Sequence, residues 1–354
     1  MNRERRPLLF PILWSLCVLL GLTPALVAAQ PLQVCVTVPE LTSLAQEIGG
    51  EYVTLSTFAK ATEDPHFVEA KPSFIKILST CDLYVQVGLE LEAGWAPVLL
   101  RNARNTDILP GAAGHVDASS VITPIGIPTT PVDRSMGDVH PLGNPHYLSD
   151  PVNGLKVAAL LRDKLSQRQP GNAAYFAARY LSFRDRVGTA LVGESLAKKY
   201  ECEKLALLFE HGKLNEFLQS QGEAAALGGW LALMSPHFGD KVVADHNMWP
   251  YFARRFGVTV IDFLEPKPGI PPSTAHLNAL VQTMKTNGVK AVLTAAYYDP
   301  RYARFIAENT GATIATMANQ AGARPGTEAY LCMVDYNVRQ VVSALINSDD
   351  HIRQ

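Results

Sequence analysis

The sequence predicts an α/β protein of two lobes, each with a mostly parallel sheet flanked by helices, joined by one long bridging helix. Three observations carry this. Short β-rich apolar runs alternate with helical patterns, a rhythm that builds parallel sheets covered by helices. The chain of 354 residues exceeds what a single core usually organises. One long helical pattern lies at mid-chain, suited to joining two lobes.

The elements follow in order. Arg3, Arg5 and Arg6 precede an apolar run at 8–22, and Val27-Ala28-Ala29 offers small residues before Gln30. That pattern is expected of a secretory signal peptide cleaved after Ala29. Pro11 and Pro24 interrupt the run, which argues against an uncleaved anchor. Cys17 is a poor lipid-anchor site, because Leu16 stands where a small residue is needed. Strand candidates at 32–38, 52–58 and 82–87 then alternate with helical patterns at 40–48 and 72–78, the second opened by Pro72. A Gly-, Pro-, Ser- and Thr-rich stretch at 111–144 is expected to be a long loop. Helical periodicity returns at 151–167. The bridging pattern at 172–200 would run about 40 Å if unbroken, although Gly188 and Gly193 interrupt it. Further strands are expected at 205–209, 242–244, 258–263, 291–294 and 313–317. Helices are expected at 249–256, 273–285, 300–309 and 328–346. The organisation is therefore residues 1–29 as signal peptide, 30–168 and 202–354 as lobes, and 169–201 as the bridge.

Charge and cysteine usage exclude several classes. Of 31 basic and 33 acidic residues, three arginines and one glutamate lie in 1–29, leaving 28 against 32, a net charge of −4. Such a surface has no basic excess for a phosphate backbone, so nucleic acid is not an expected partner. Cys35, Cys81, Cys202 and Cys332 are scattered without a C-x-x-C, which disfavours a thiolate zinc site. Export permits disulfides. Cys35 and Cys81 fit equally as small core residues, and spacing pairs none of the four.

Three histidines have distinctive contexts. His66 lies in Asp64-Pro65-His66-Phe67, His146 in Asn144-Pro145-His146-Tyr147, and His246 in Asp245-His246-Asn247. All precede helical patterns, and His66 and His246 follow strand ends, where open parallel sheets form their ligand crevice. Three imidazoles meeting there would suit Zn²⁺. Spacing alone leaves open that they are scattered residues at helix starts. His115, His237, His276 and His351 are expected at the solvated surface, and His211 at a helix start. His140, in Asp138-Val139-His140-Pro141, is expected to be structural or exposed rather than an auxiliary site.

The order of these motifs is informative. Asp64-Pro65-His66 with Lys71-Pro72-Ser73 and Gly88-Leu89-Glu90-Leu91-Glu92 resembles the zinc- and manganese-binding solute-binding proteins of ABC transporters. Asn144-Pro145-His146-Tyr147 with Asp150-Pro151, and Asp245-His246 with Trp249-Pro250-Tyr251-Phe252, resemble that family's second and third ligand motifs. The resemblance runs through nearly the whole chain after residue 29. It implies two α/β lobes bridged by a long helix, and a divalent metal held between them by His66, His146 and His246. It also implies a periplasmic or otherwise extracytoplasmic monomer that serves a membrane permease; a metal-delivering chaperone is a further candidate partner.

Two departures stand out. Where the family often supplies a carboxylate as fourth ligand, this chain has Ala318-Asn319-Gln320, so Asn319 is the expected fourth donor, with water or Asp299 as alternatives. The stretch 203–240 is longer than the family's usual link and carries Gly228-Gly229-Trp230. Three histidines without an obvious carboxylate favour Zn²⁺ over Mn²⁺. Such ligands bind when neutral, so affinity is expected to fall as pH drops through about 6.5.

Other classes of protein fit these residues less well. A zinc hydrolase would need a general base such as Glu69, Asp245 or Asp299, and no H-E-x-x-H places one beside two ligands. A receptor for a small organic solute would line its cleft with Trp95, Trp249, Tyr251 and Tyr298. No G-x-x-x-x-G-K-[ST] loop is present, so the chain is not the transporter's ATPase.

Overall fold

The structure is a computed structural model and describes residues 30–130, 139–267 and 269–352. The expected signal peptide lies outside these residues. In the first half, β1 (Leu32–Val36), α1 (Pro39–Gly49), β2 (Val53–Thr57), α2 (Pro72–Leu78), β3 (Leu83–Gln86), α3 (Ala96–Ala103) and β4 (His115–Asp117) form a parallel sheet of order β2-β1-β3-β4. β4 belongs to the stretch expected to be loop. Its three residues pair with Tyr84, Val85 and Gln86, a run too short for a periodic signal.

The chain continues through α4 (Pro151–Arg168), α5 (Ala173–Val192), α6 (Glu194–Lys199), α7 (Cys202–Glu210), α8 (Leu214–Ser220) and α9 (Gly229–Met234). The second half then runs β5 (Lys241–Ala244), α10 (Pro250–Phe256), β6 (Thr259–Phe263), α11 (Thr274–Asn287), β7 (Ala291–Thr294), α12 (Pro300–Thr310), β8 (Thr313–Thr316) and α13 (Tyr330–Ile352). Its sheet, also parallel, has the order β6-β5-β7-β8. The same winding thus occurs twice, and each sheet is flanked by helices. Along β5 the period of two is plain. Val242 and Ala244 enter the main core, while Val243 enters a smaller cluster with Leu277, Leu280 and Ile306 from α11 and α12.

One expected strand is corrected. Residues 205–209 are helix rather than strand: Cys202, Leu205, Ala206 and Phe209 are buried at helical spacing, and Leu207 is exposed. A five-residue apolar run shows too little of either period to separate the two. The bridging helix is present, ending at one of the two glycines expected to interrupt it. At 20 residues α5 spans about 30 Å, and Gly193, at φ +84°, breaks it from α6.

That break has a packing cause. A Cβ on Gly193 would lie 2.9 Å from the Cα of Gly228, and one on Gly229 would lie 2.3 Å from the Ala190 carbonyl oxygen. The glycines therefore let the turn before α9 close directly onto the end of α5. This gives the glycine-rich part of the 203–240 stretch a structural role. Cys35 and Cys81 form a disulfide between β1 and the entry to β3, while Cys202 is buried and reduced and Cys332 is exposed.

Side-chain bonds link the two halves. Arg255 on α10 donates from Nε and Nη2 to the two carboxylate oxygens of Asp150, at 2.8 and 3.0 Å. Asp150 also caps α4 by accepting from the Val152 N–H. Both partners are buried. Nearby, Tyr330 donates to the Leu148 carbonyl, and its ring fills the space beside Gly154, where a Cβ would come within 2.4 Å of its hydroxyl.

Candidate metal centre

His66 lies in a turn between β2 and α2, His146 shortly before α4 and His246 just after β5, and neighbours fix each of them. Pro65–Phe67 forms one tight turn capped by Asp64, whose carboxylate accepts from the His66 N–H at 3.0 Å. The same oxygen lies 2.6 Å from His66 Nδ1. Trp95 anchors the turn by donating to the Pro65 carbonyl. Burial works to raise the Asp64 carboxyl, but the bond and charge of His66 outweigh it and hold it below the usual carboxylate range.

His146 is set by Asn144, whose side-chain oxygen accepts from the His146 N–H while its amide donates to the Asn247 carbonyl across the molecule. Tyr251 adds a second tie, donating to the Asn144 carbonyl at 3.0 Å. His246 follows β5. Asp245 accepts from the His246 and Ala295 N–H groups, and its carboxyl is pushed up to about 7 by burial. His246 Nδ1 meets Glu265 Oε2 at 2.9 Å, and the Tyr298 ring stacks beside it.

The structure brings these three imidazoles into one row. Ring centres of His66 and His146 are 5.3 Å apart, and those of His146 and His246 are 6.1 Å apart. His140 joins them, with its Nε2 3.0 Å from His66 Nε2 and its ring stacked at 5.1 Å. His140 is therefore half-buried beside His66 rather than exposed. A turn in which Gly143 donates back to the His140 carbonyl brings the loop round to the site.

With carboxylates on Nδ1 of His66 and His246, the two Nε2 atoms are left as donors, the usual division between metal and outer partner. Burial, reinforced by the neighbouring rings of His66, His246 and His140, holds His146 well below the ordinary histidine range. It therefore stays neutral where a free histidine is charged, as a ligand must. Among the described residues, no group of three or more His, Cys, Asp or Glu side chains is placed so that it could hold a metal ion.

The remaining expectations fall elsewhere. Asn319 follows β8, and its side-chain oxygen already accepts from the Ala296 N–H at 3.2 Å. Asp299 caps α12 and pairs with Arg301, whose hydrogen bonds hold its carboxyl down at about 2. His237 is buried against Asp240, and His276 bonds the Phe263 carbonyl; neither is a solvated surface residue. His115 is half-buried. His211 ends α7 rather than starting a helix. The side chain of His351 lies outside those described. Glu265 was missed, although it follows β6 as His246 follows β5, and that strand-end position was its available signal.

Behind the histidines lies a small cavity of about 40 Å³ lined by Glu40, His146, Trp249, Asn319 and Gln320. Glu40 Oε2, His146 Nε2, Trp249 Nε1 and Gln320 Oε1 are buried there without a hydrogen-bond partner among the described residues. Burial pushes the Glu40 carboxyl up to about 8. An acid raised in the folded state is protonated there without penalty below its unfolded value near 4.5. As pH rises toward 8 it destabilises the fold, because the unfolded chain ionises first. Glu40→Gln is therefore expected to match wild-type stability near pH 4.5. At pH 9 it should exceed wild type by about 4–5 kcal/mol, the full shift from 4.5 to about 8, as read by metal-free denaturant unfolding. Parallel pH profiles would refute this.

The fold and the site define a class: paired parallel sheets with nitrogen donors gathered beyond their strand ends. The chain belongs to the family described as zinc-uptake complex component A, periplasmic (ZnuA), matching it over residues 34–222 and 225–344. It is similar to the manganese-binding lipoprotein MntA of Halalkalibacterium halodurans, at 22% identity over 86% of this chain and 85% of that protein. The metal ABC transporter substrate-binding lipoprotein SloC of Streptococcus mutans is 21% identical over 97% and 99% of the two chains. A crystal structure of ZnuA superposes with a TM-score of 0.64 at 21% identity, covering 89% of this chain and 100% of that one. The chain is thus a metal-binding substrate-binding protein of the zinc/manganese ABC-transporter type, and not an enzyme.

Proposed function

We propose that this chain captures zinc in preference to manganese and delivers it to the membrane permease of an ABC transporter. His66, His146 and His246 are the ligands, between lobes of residues 30–168 and 202–354 joined by 169–201. Asn319 is the fourth donor expected from the sequence, through an oxygen that already has a partner. In this reading residues 1–29 direct export to the periplasm, where the protein acts as a monomer and a metal-delivering chaperone is a candidate partner. The observation that supports it most is the row of imidazoles, with carboxylates on Nδ1 of His66 and His246.

Zinc is favoured because the donors facing the site are nitrogens, while manganese prefers oxygen. The nearest carboxylates, Asp64 and Glu265, are engaged as outer partners. Competitive titration of chelator-stripped protein with both ions tests the preference. Zinc is expected to bind more tightly; equal affinity, or tighter manganese binding, would refute it.

A further inference from the structure

We infer that His140 is the fourth metal ligand, completing a shell of four imidazole nitrogens; this rests on the reading of His66, His146 and His246 as ligands. Distance is the first support. Two imidazoles bound to one zinc at tetrahedral angles have nitrogens about 3.4 Å apart and ring centres about 5 Å apart. His66 and His140 meet the second, with ring centres 5.1 Å apart, while their Nε2 atoms, at a hydrogen-bond distance of 3.0 Å, part by about 0.4 Å to take an ion between them. The His66–His146 spacing of 5.3 Å fits as well. Only the 6.1 Å between His146 and His246 is wide, by about an ångström, so ion binding draws His246 inward.

The oxygens that would compete for the fourth place are committed. Asn319 accepts from Ala296 N–H, Asp299 is paired with Arg301, and Asp64 and Glu265 hold the far nitrogens of two ligands. The loop is also shaped for the task. Gly143 takes φ +107°, and a Cβ there would come within 2.9 Å of Pro124. That turn brings His140 back to the region reached by His146, six residues later. A four-nitrogen shell deepens the preference for zinc, since it removes the oxygen that manganese would use.

The test titrates the chelator-stripped chain with Zn²⁺ and with Mn²⁺, comparing wild type, His140→Ala, His140→Gln, Asn319→Ala and His66→Ala. Loss of a direct ligand should cost at least the roughly tenfold that loss of an outer partner costs. Both His140 variants should therefore weaken zinc by that much and narrow the zinc-to-manganese affinity ratio, while Asn319→Ala changes neither. Histidine ¹⁵N spectra of the zinc-loaded wild type should show four metal-shifted ring nitrogens. Three shifted nitrogens, with unchanged zinc affinity in both His140 variants, would overturn the inference and leave the three-histidine site standing. Unchanged binding in His66→Ala would bring down both.

Discussion

Replacing His66, His146 or His246 by alanine is expected to abolish most of the stabilisation that zinc confers. For an ion bound only by the folded chain this is about 4 kcal/mol at a thousandfold excess over Kd, read as a rise in melting temperature. The three losses have different secondary consequences. His66→Ala leaves Asp64 half-buried without its ring partner, and His246→Ala does the same to Glu265. His146→Ala removes a ring whose Nε2 has no partner among the described residues, so it should least disturb the metal-free protein. Asn319→Ala should retain most of the zinc effect. Equal losses at Asn319 and the histidines would show the amide to be a full ligand.

Asp150→Ala is expected to lower metal-free stability by about 3–5 kcal/mol. It takes from the buried guanidinium of Arg255 the carboxylate that accepts two of its hydrogen bonds, leaving Glu210 at 3.5 Å as its remaining partner, and breaking a buried pair costs that much. The α4 cap is lost with it. Substituting both partners with apolar residues should cost less than Asp150→Ala alone, because no charge is then stranded. Denaturant unfolding of the single and double variants separates these effects. A loss below about 1 kcal/mol for Asp150→Ala would mean that water reaches Arg255. Because Asp150 lies four residues after His146 and Arg255 nine after His246, the pair also secures the segments that carry two of the proposed ligands.

Much of this was legible in the sequence, because fold and ligand positions are written in local patterns. The β-rich runs near 32–38, 242–244 and 291–294 announced parallel strands, and Pro72 marked a helix start. His66 and His246 stood out by following strand ends. What stayed hidden depends on contacts between distant segments. Glu265 is 19 residues from His246, and His140 is 74 residues from His66; neither carries a local sign of its partner. The Cys35–Cys81 bridge likewise joins neighbouring strands of the sheet, a relation that spacing does not encode. The 205–209 error had the opposite origin, a local run too short to reveal its period.

The most direct test of the metal centre is zinc-edge anomalous diffraction from crystals of the zinc-loaded protein. One anomalous peak is predicted at about 2.0–2.1 Å from Nε2 of each of His66, His146 and His246. A peak away from these three nitrogens, or none at full zinc loading, would contradict it.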